Sequence, residues 1–333
     1  VTVLIAGAGP AGAAAAISAR QRGATVTLFD PSPFPRHKVC GEFLSPGIVP
    51  LLEQLGVWER IRALHPHPYT RLGLHFPQVS KRAPLPRTAW GLSRYALDAI
   101  LRERALELGA AHRRERFPAV TPGEAAVIRA TGRRAAAGRR PRLFGFKAHF
   151  QGEAEDSIDL YFFDRIYVGV NAVEGGFVNV CGLAPEDALQ PLGFNPEGLF
   201  ARHAGLQERL SRLRRTMSWM VTGPLVYSRR VDSCQAAVAV GDALAFIDPF
   251  TGSGILNAVL TGYLGGIAAV ECWEKQHYCA VTQHYLGRCL RVAGWLRGLL
   301  EAGWARWLLP VAPASLLVAA TRPALELSQL PEN

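Results

Sequence analysis

A chain of 333 residues, 49% apolar and 19% charged, can bury a large core, which excludes a disordered or low-complexity protein. Lys and Arg outnumber Asp and Glu 37 to 27, for a formal charge of +10, yet the densest basic run, residues 129–142, has six arginines and no interleaved aromatic residue. That excess fits a solvated face, an anionic cofactor or acidic lipid, and no nucleic-acid partner is expected.

The chain opens on an apolar run, residues 1–6, followed by Gly7-Ala8-Gly9-Pro10-Ala11-Gly12 and an alanine-rich segment to Arg22. The run reads as a strand buried on both faces, and residues 11–22 as a helix stopped by Gly23. A second strand, 24–29, ends on Asp30. This is the βαβ unit that binds dinucleotides: the first glycine makes the turn, the second lets a pyrophosphate approach the backbone, and the third lets helix and strand pack closely. Unpaired N–H groups at the helix start favour an anion, and Asp30 is placed to accept from ribose hydroxyls.

A loop follows, residues 31–47, carrying Arg36, Lys38, Cys40, Gly41 and Glu42; loops of this length in a compact domain are usually functional. Residues 48–64 read as one helix. Residues 65–90, with five prolines, read as irregular with short strand-like pieces. Ser93 caps a helix from Arg94 to Leu108 that Gly109 ends. One or two short strands fit before Ala130-Thr131-Gly132-Arg133. Residues 144–150, 157–163, 166–173 and 177–183 then alternate or run apolar between turn signals, which predicts an antiparallel sheet. Residues 196–213 read as helix, 222–228 as strand, and 236–240 as a buried strand ending on Gly241-Asp242. Gly252, Gly254 and residues 255–269 form a second glycine-opened helix, and 271–309 is helical.

The expected organisation is a discontinuous nucleotide domain (1–140 and 230–270), an inserted antiparallel-sheet substrate domain (141–229) and a helical C-terminal segment (271–333). The six cysteines, Cys40, Cys181, Cys234, Cys272, Cys279 and Cys289, show no C-x-x-C pair and no histidine at ligand spacing, so neither zinc nor a disulfide scaffold is expected. A reducing cytoplasm is the expected compartment. The apolar start lacks the basic flank of a signal peptide, and residues 304–320 are too short and too interrupted by Arg306, Pro310 and Pro313 for a membrane span.

Four separated pieces together resemble one superfamily: the glycine turn with Asp30; Arg94 with Leu97-Asp98; Ala130-Thr131-Gly132-Arg133; and Gly241-Asp242 with Asp248-Pro249-Phe250-Thr251-Gly252-Ser253-Gly254. The pattern is similar to the FAD-dependent aromatic hydroxylases, geranylgeranyl reductases and flavin-dependent halogenases, with an α/β, glutathione-reductase-type FAD-binding Rossmann fold. The resemblance implies FAD as cofactor, with Gly7, Gly9, Pro10, Ala11, Gly12, Asp30, Arg36, Lys38, Cys40, Gly41, Arg94, Thr131, Gly132, Gly241, Asp242, Pro249, Gly252, Ser253, Gly254 and Ile255 around it. Asp30 then reads as a ligand of the adenosine ribose, and Asp242 as an acceptor from ribityl or ribose hydroxyls. Residues 252–254 would present N–H groups to the flavin edge that gains negative charge on reduction. The Cys40-Gly41-Glu42 loop resembles the C-G-G loop of the reductases and the G-E-S loop of the halogenases, making Cys40 a catalytic candidate. The lipid-reductase motif Y-x-W-x-F-P and the halogenase motif W-x-W-x-I-P are missing, and Thr131 stands where hydroxylases usually carry aspartate.

The resemblance implies an enzyme, first a monooxygenase hydroxylating a bulky hydrophobic or aromatic substrate, and alternatively a reductase of isoprenoid or lipid C=C bonds. A non-catalytic electron carrier is a third reading. NADH, NADPH or a partner reductase would deliver electrons. Phe146, His149, Tyr161, Phe163, Tyr167 and Asn171, with Phe144 and Lys147, are the expected pocket residues. An apolar C-terminus bearing Trp295, Trp304 and Trp307 suits peripheral membrane contact or a helical cover.

Overall fold

The computed structural model describes residues 1–119, 125–133, 142–225, 231 and 237–302. Two sheets carry the fold. The first is parallel: β1 (Thr2–Ala6), followed by α1 (Pro10–Gln21), pairs on one side with β2 (Thr25–Phe29) and on the other with β7 (Ala126–Arg129). A strand order of β14-β7-β1-β2-β6 is completed by β6 (Ala111–Arg113) and β14 (Val238–Ala239), so the chain returns to its first sheet after residue 237. Helix α1 is alanine-rich because it lies between that sheet and α8 (Gly254–Val270). At Gly262 of α8 a Cβ would strike the Ala11 carbonyl, and the close crossing is tied by Ser18 Oγ donating to the Tyr263 carbonyl at 2.9 Å.

The second sheet has nine strands. The strands expected after residue 142 form as β8 (Leu143–Gln151), β9 (Ser157–Phe163), β10 (Ile166–Ala172) and β11 (Phe177–Pro185), paired antiparallel in the order β8-β11-β10-β9. Three more come from earlier in the chain: β3 (Phe43–Leu44), β4 (His67–Phe76) and β5 (Val79–Gly91). Residues 65–90 are therefore a long hairpin, not an irregular stretch. Its prolines are tolerated because β5 pairs with β3 only at Trp90 and Gly91, and because Pro86 falls in an irregularity between the Arg71–Pro84 and Tyr69–Ala89 pairs. β4 joins β9 in parallel, so the sheet is mixed at this one junction. β12 (Arg214–Arg215) and β13 (Met220–Leu225) both pair with β8; the expected strand at 222–228 thus begins earlier, and residues 226–228 lie outside the described ones.

Short helices complete the chain. The single helix expected over 48–64 is two, α2 (Val49–Gln54) and α3 (Trp58–Ala63), because Gly56 takes a φ of +69° between them. α4 (Arg94–Glu107) starts at Ser93, whose side chain accepts the Ala96 N–H, as the capping signal predicts. α5 (Glu186–Leu189), α6 (Glu197–Phe200) and α7 (Ala204–Ser211) cover one face of the second sheet, where Phe146, Phe150, Tyr161, Phe163 and Phe200 pack together. The helix expected over 196–213 is divided because His203 caps α7, accepting the Leu206 N–H. α9 (Lys275–Glu301) is the long C-terminal helix, with Trp295 61% exposed. Trp304, Trp307 and residues 304–320 lie outside the described residues, as do residues 134–141 of the arginine run. No helix among the described residues is long and apolar enough to cross a membrane.

Candidate functional site

The three glycines of the first turn have three different surroundings. Gly7 has a φ of +107° and donates its N–H to Phe29 at 2.8 Å; a Cβ there would meet the Ala130 carbonyl. At Gly12 a Cβ would drive into the Gly7 carbonyl, so helix and turn touch backbone to backbone. Gly9 alone faces open space, with Arg94 Nη2 at 3.8 Å as the only neighbour its Cβ would find. Gly9 is also the N-cap of α1 and no side chain caps that helix, so its first N–H groups are available to an anion.

That open space belongs to a cavity of about 520 Å³ between the two sheets. Its polar end is lined by Gly9, Pro10, Ala11, Asp30, Arg36, Lys38, Arg94, Thr131, Gly132, Arg133 and Asp242. Positive charge is in surplus here. Burial, then the nearby Arg36 and Arg94 guanidiniums, push the Lys38 ammonium below its ordinary pKa. Asp98 engages Arg94 at 2.6 and 2.8 Å, and Asp30 takes both ends of Arg36 at 2.8 and 2.7 Å while accepting the Ala8 N–H at 3.1 Å. Burial alone would raise the Asp30 carboxyl; the bonds from Arg36, Ala8 and Ser32 outweigh it and bring it to about 2. Arg36 Nε remains buried without a partner. Asp242 is the opposite case: burial pushes its carboxyl up, Arg133 at 4.0 Å and Arg94 offset this only in part, and hydroxyl donors would suit it. Helix-start N–H groups, surplus cations and a carboxyl suited to hydroxyls fit a sugar diphosphate.

The remaining lining residues of the resemblance, Gly7, Cys40, Gly41, Pro249, Gly252, Gly254 and Ile255, also reach the cavity. Three do not. Gly12 packs on Gly7, Gly241 takes a φ of +60° against Ala11 Cβ, and Ser253 is fully buried at the N-cap of α8; they shape the wall from behind.

The apolar end corrects the expected pocket. Tyr167 and Asn171 line it, but Phe146, Tyr161 and Phe163, like Phe144, project from the opposite face of the second sheet into the helix-covered core. The side chains one position away face the cavity: Ile158, Leu160 and Phe162 on β9, with Leu72, Leu74 and Phe76 of β4. Both faces are buried, so apolar alternation cannot distinguish them. The β4 residues give no signal in the sequence, because the prolines of the β4–β5 hairpin mimic an irregular stretch.

His149 is on the cavity side of its strand but does not line the cavity. Its Nε2 contacts Glu42 Oε2 at 2.6 Å. Lys147 Nζ pairs with Glu42 Oε1, which also accepts the Arg94 N–H at 2.7 Å. Glu42 and Lys147 are completely buried. Burial would raise the Glu42 carboxyl, but Lys147 and His149 hold it below the ordinary carboxylate range. One atom each of His37, Glu42 and His149 lies within 4.8 Å of the others, a spacing open to a metal, but Lys147 already supplies the cation. The sequence offered one signal for this cluster, a glutamate in a glycine loop; its partners are 105 and 107 residues away. Cys40 lines the cavity, its sulfur 3.4 Å from the Glu42 N–H, and the neighbouring Cys181 thiol is pushed up to about 12, first by burial.

A parallel sheet with a glycine turn, a basic nucleotide pocket and an apolar chamber walled by a second sheet define the fold class of the FAD-binding oxidoreductases. Residues 1–140 match the FAD binding domain family. It is 35% identical over 111 residues to the menaquinone reductase of Mycolicibacterium smegmatis, an overlap of 32% of this chain and 27% of that protein. Among solved structures it is similar to a flavoprotein/dehydrogenase from Cytophaga hutchinsonii (TM-score 0.79, 17% identity, 96% of this chain and 93% of that one). It is likewise similar to the flavin-dependent brominase Bmp2 (TM-score 0.78, 16% identity, 96% and 93%). These structural likenesses concern the fold.

Proposed function

We propose that the protein is an FAD-dependent monooxygenase acting on a bulky, largely apolar molecule. The observation that carries this is the two-ended cavity, cationic beside Gly9 and apolar between Leu74, Leu160 and Phe162. Bound FAD supplies electron transfer and oxygen chemistry, so the protein's part is binding, orientation and exclusion of water. The α1 N-terminus, Arg36, Lys38 and Arg94 would hold the diphosphate, Asp242 would accept from hydroxyls, and the backbone at Gly252 and Gly254 would border the ring system. Leu72, Leu74, Phe76, Leu160 and Phe162 would keep the chamber dry around the substrate. Electrons would come from NADH, NADPH or a reductase partner.

A second reading, reduction of a C=C bond in a prenyl lipid, is favoured by the likeness to menaquinone reductase, which lies within about a third of the chain. One experiment separates the two. The FAD-loaded protein is reduced anaerobically with NADH or NADPH, then mixed with phenols, quinones or prenyl lipids, with and without oxygen. Monooxygenation gives a product that has gained one oxygen atom and requires O2. A product that gains two hydrogens without O2 selects the reductase, and failure to take up FAD overturns both readings.

A further inference from the structure

On the cavity-facing side of β8 to β11, beside residues 38–42, Lys147 and His149 stand two positions apart on β8, opposite Cys181 and Asn179 of β11, while Tyr167 and Asn171 of β10 are neutral polar groups of the same face. Glu42 reaches both from a left-handed conformation, φ +53°, which a residue with a side chain adopts only at a cost. Its carboxylate is filled on both oxygens: Lys147 Nζ and the Arg94 N–H on Oε1, His149 Nε2 on Oε2. The same loop supplies cavity wall through Cys40 and Gly41, and the Cys40 carbonyl accepts from Asn179 Nδ2 at 3.1 Å. Glu42 and Lys147 side chains have no exposure, so they can act on the cavity through charge and position but not through contact.

Stability alone does not call for such a pair. A buried ion pair can generally be replaced by apolar side chains of similar volume without loss, whereas removing one partner strands the other charge. Because both side chains are fully buried, each charge also exerts a field that water does not screen. We propose that the Glu42–Lys147 pair, braced by His149, is a positioning device that sets the electrostatic potential of the cavity wall and thereby the reduction potential of the flavin held against it. The inference rests on the assignment of FAD to this cavity. The other charges around the cluster are Arg94, paired with Asp98; Glu174, bonded to Ser93; and His37, whose protonation burial, Lys147 and His149 disfavour and Glu42 favours, so each variant is compared at one pH.

The test uses E42Q, K147M and the double variant E42Q/K147M, each loaded with FAD, with FAD affinity and reduction potential measured at one pH and salt concentration. Loss of the negative charge in E42Q raises the potential, because reduction adds negative charge to the flavin. Loss of the positive charge in K147M lowers it, and the double variant returns between the two singles. Singles that shift in the same direction, or not at all, show a structural brace only and overturn the proposal. If the singles fail to hold FAD, the double decides: FAD retention there supports a charge-balanced unit, and its failure overturns one. Wild-type protein that takes up no FAD overturns the cofactor assignment and this inference with it.

Discussion

Asp248 Oδ2 accepts from Arg297 Nε at 2.5 Å, joining the loop that opens α8 to the C-terminal helix through a buried ion pair. The same loop borders the cavity through Pro249, Phe250, Thr251, Gly252 and Gly254, and the same turn of α9 contributes Leu296. The C-terminal helix is therefore part of the site's scaffold. Arg297→Met strands the Asp248 carboxyl and is expected to lower stability by about 3 kcal/mol in urea unfolding. The loss should be smaller when Asp248→Asn is present as well.

The same pair gives a pH prediction. Burial, against the opposing pull of Arg297, pushes the Asp248 carboxyl up to about 6. An acid with a raised folded-state pKa contributes stability that is full below its unfolded value and disappears as pH rises through the folded one. The stability of wild type relative to Asp248→Asn should therefore fall between the ordinary carboxylate range and about pH 6. A difference that grows with pH over that window contradicts the assignment.

Asp30 behaves in the reverse sense. With its carboxyl at about 2, it contributes stability above the ordinary carboxylate value that is lost as the medium is acidified toward 2. The shift corresponds to about 2 kcal/mol at neutral pH. Arg36→Met should remove most of that contribution and flatten the acid limb of the pH–stability curve. Calorimetry between neutral pH and strong acid reads the effect.

The glycine turn separates binding from folding. Gly9→Val projects into open cavity and should abolish FAD binding while the melting temperature of the apoprotein stays near wild type. Gly12→Ala sets a methyl against the Gly7 carbonyl and should cost about 2 kcal/mol of overpacking strain. FAD affinity unchanged in Gly9→Val would remove the diphosphate from this position.

The two faces of β9 give a further contrast. Leu160→Trp narrows the chamber and should raise KM for the largest substrates with little change in FAD affinity. Phe163→Ala, on the helix-covered face, should lower stability by about 3 kcal/mol and leave the order of substrate preference intact. A reversal of these two phenotypes would mean that the substrate lies on the other side of the sheet.

The parts of the site that were legible in the sequence depend on local sterics. Gly7, Gly9 and Gly12 sit within one turn, and the close approach of backbone to backbone excludes other residues, so spacing carried the meaning. Ser93 as a cap and Gly23 as a helix stop were readable for the same reason. The hairpin at 67–91 was not, because its prolines are accommodated by an open edge and a register shift that exist only once β3, β4 and β9 are in place.

The sequence by itself determined the nucleotide unit, the return of the chain to its first sheet and the presence of a second sheet, since each rests on periodicity and turn chemistry over a few residues. The tertiary structure alone decided which side of that sheet is chamber: both sides are buried, and Leu160 and Tyr161 differ in outlook only through what packs above them. It also decided that Glu42 and Lys147 share one buried position across 105 residues. A charge reads as surface in sequence, and its burial becomes tolerable only where the fold delivers the opposite charge.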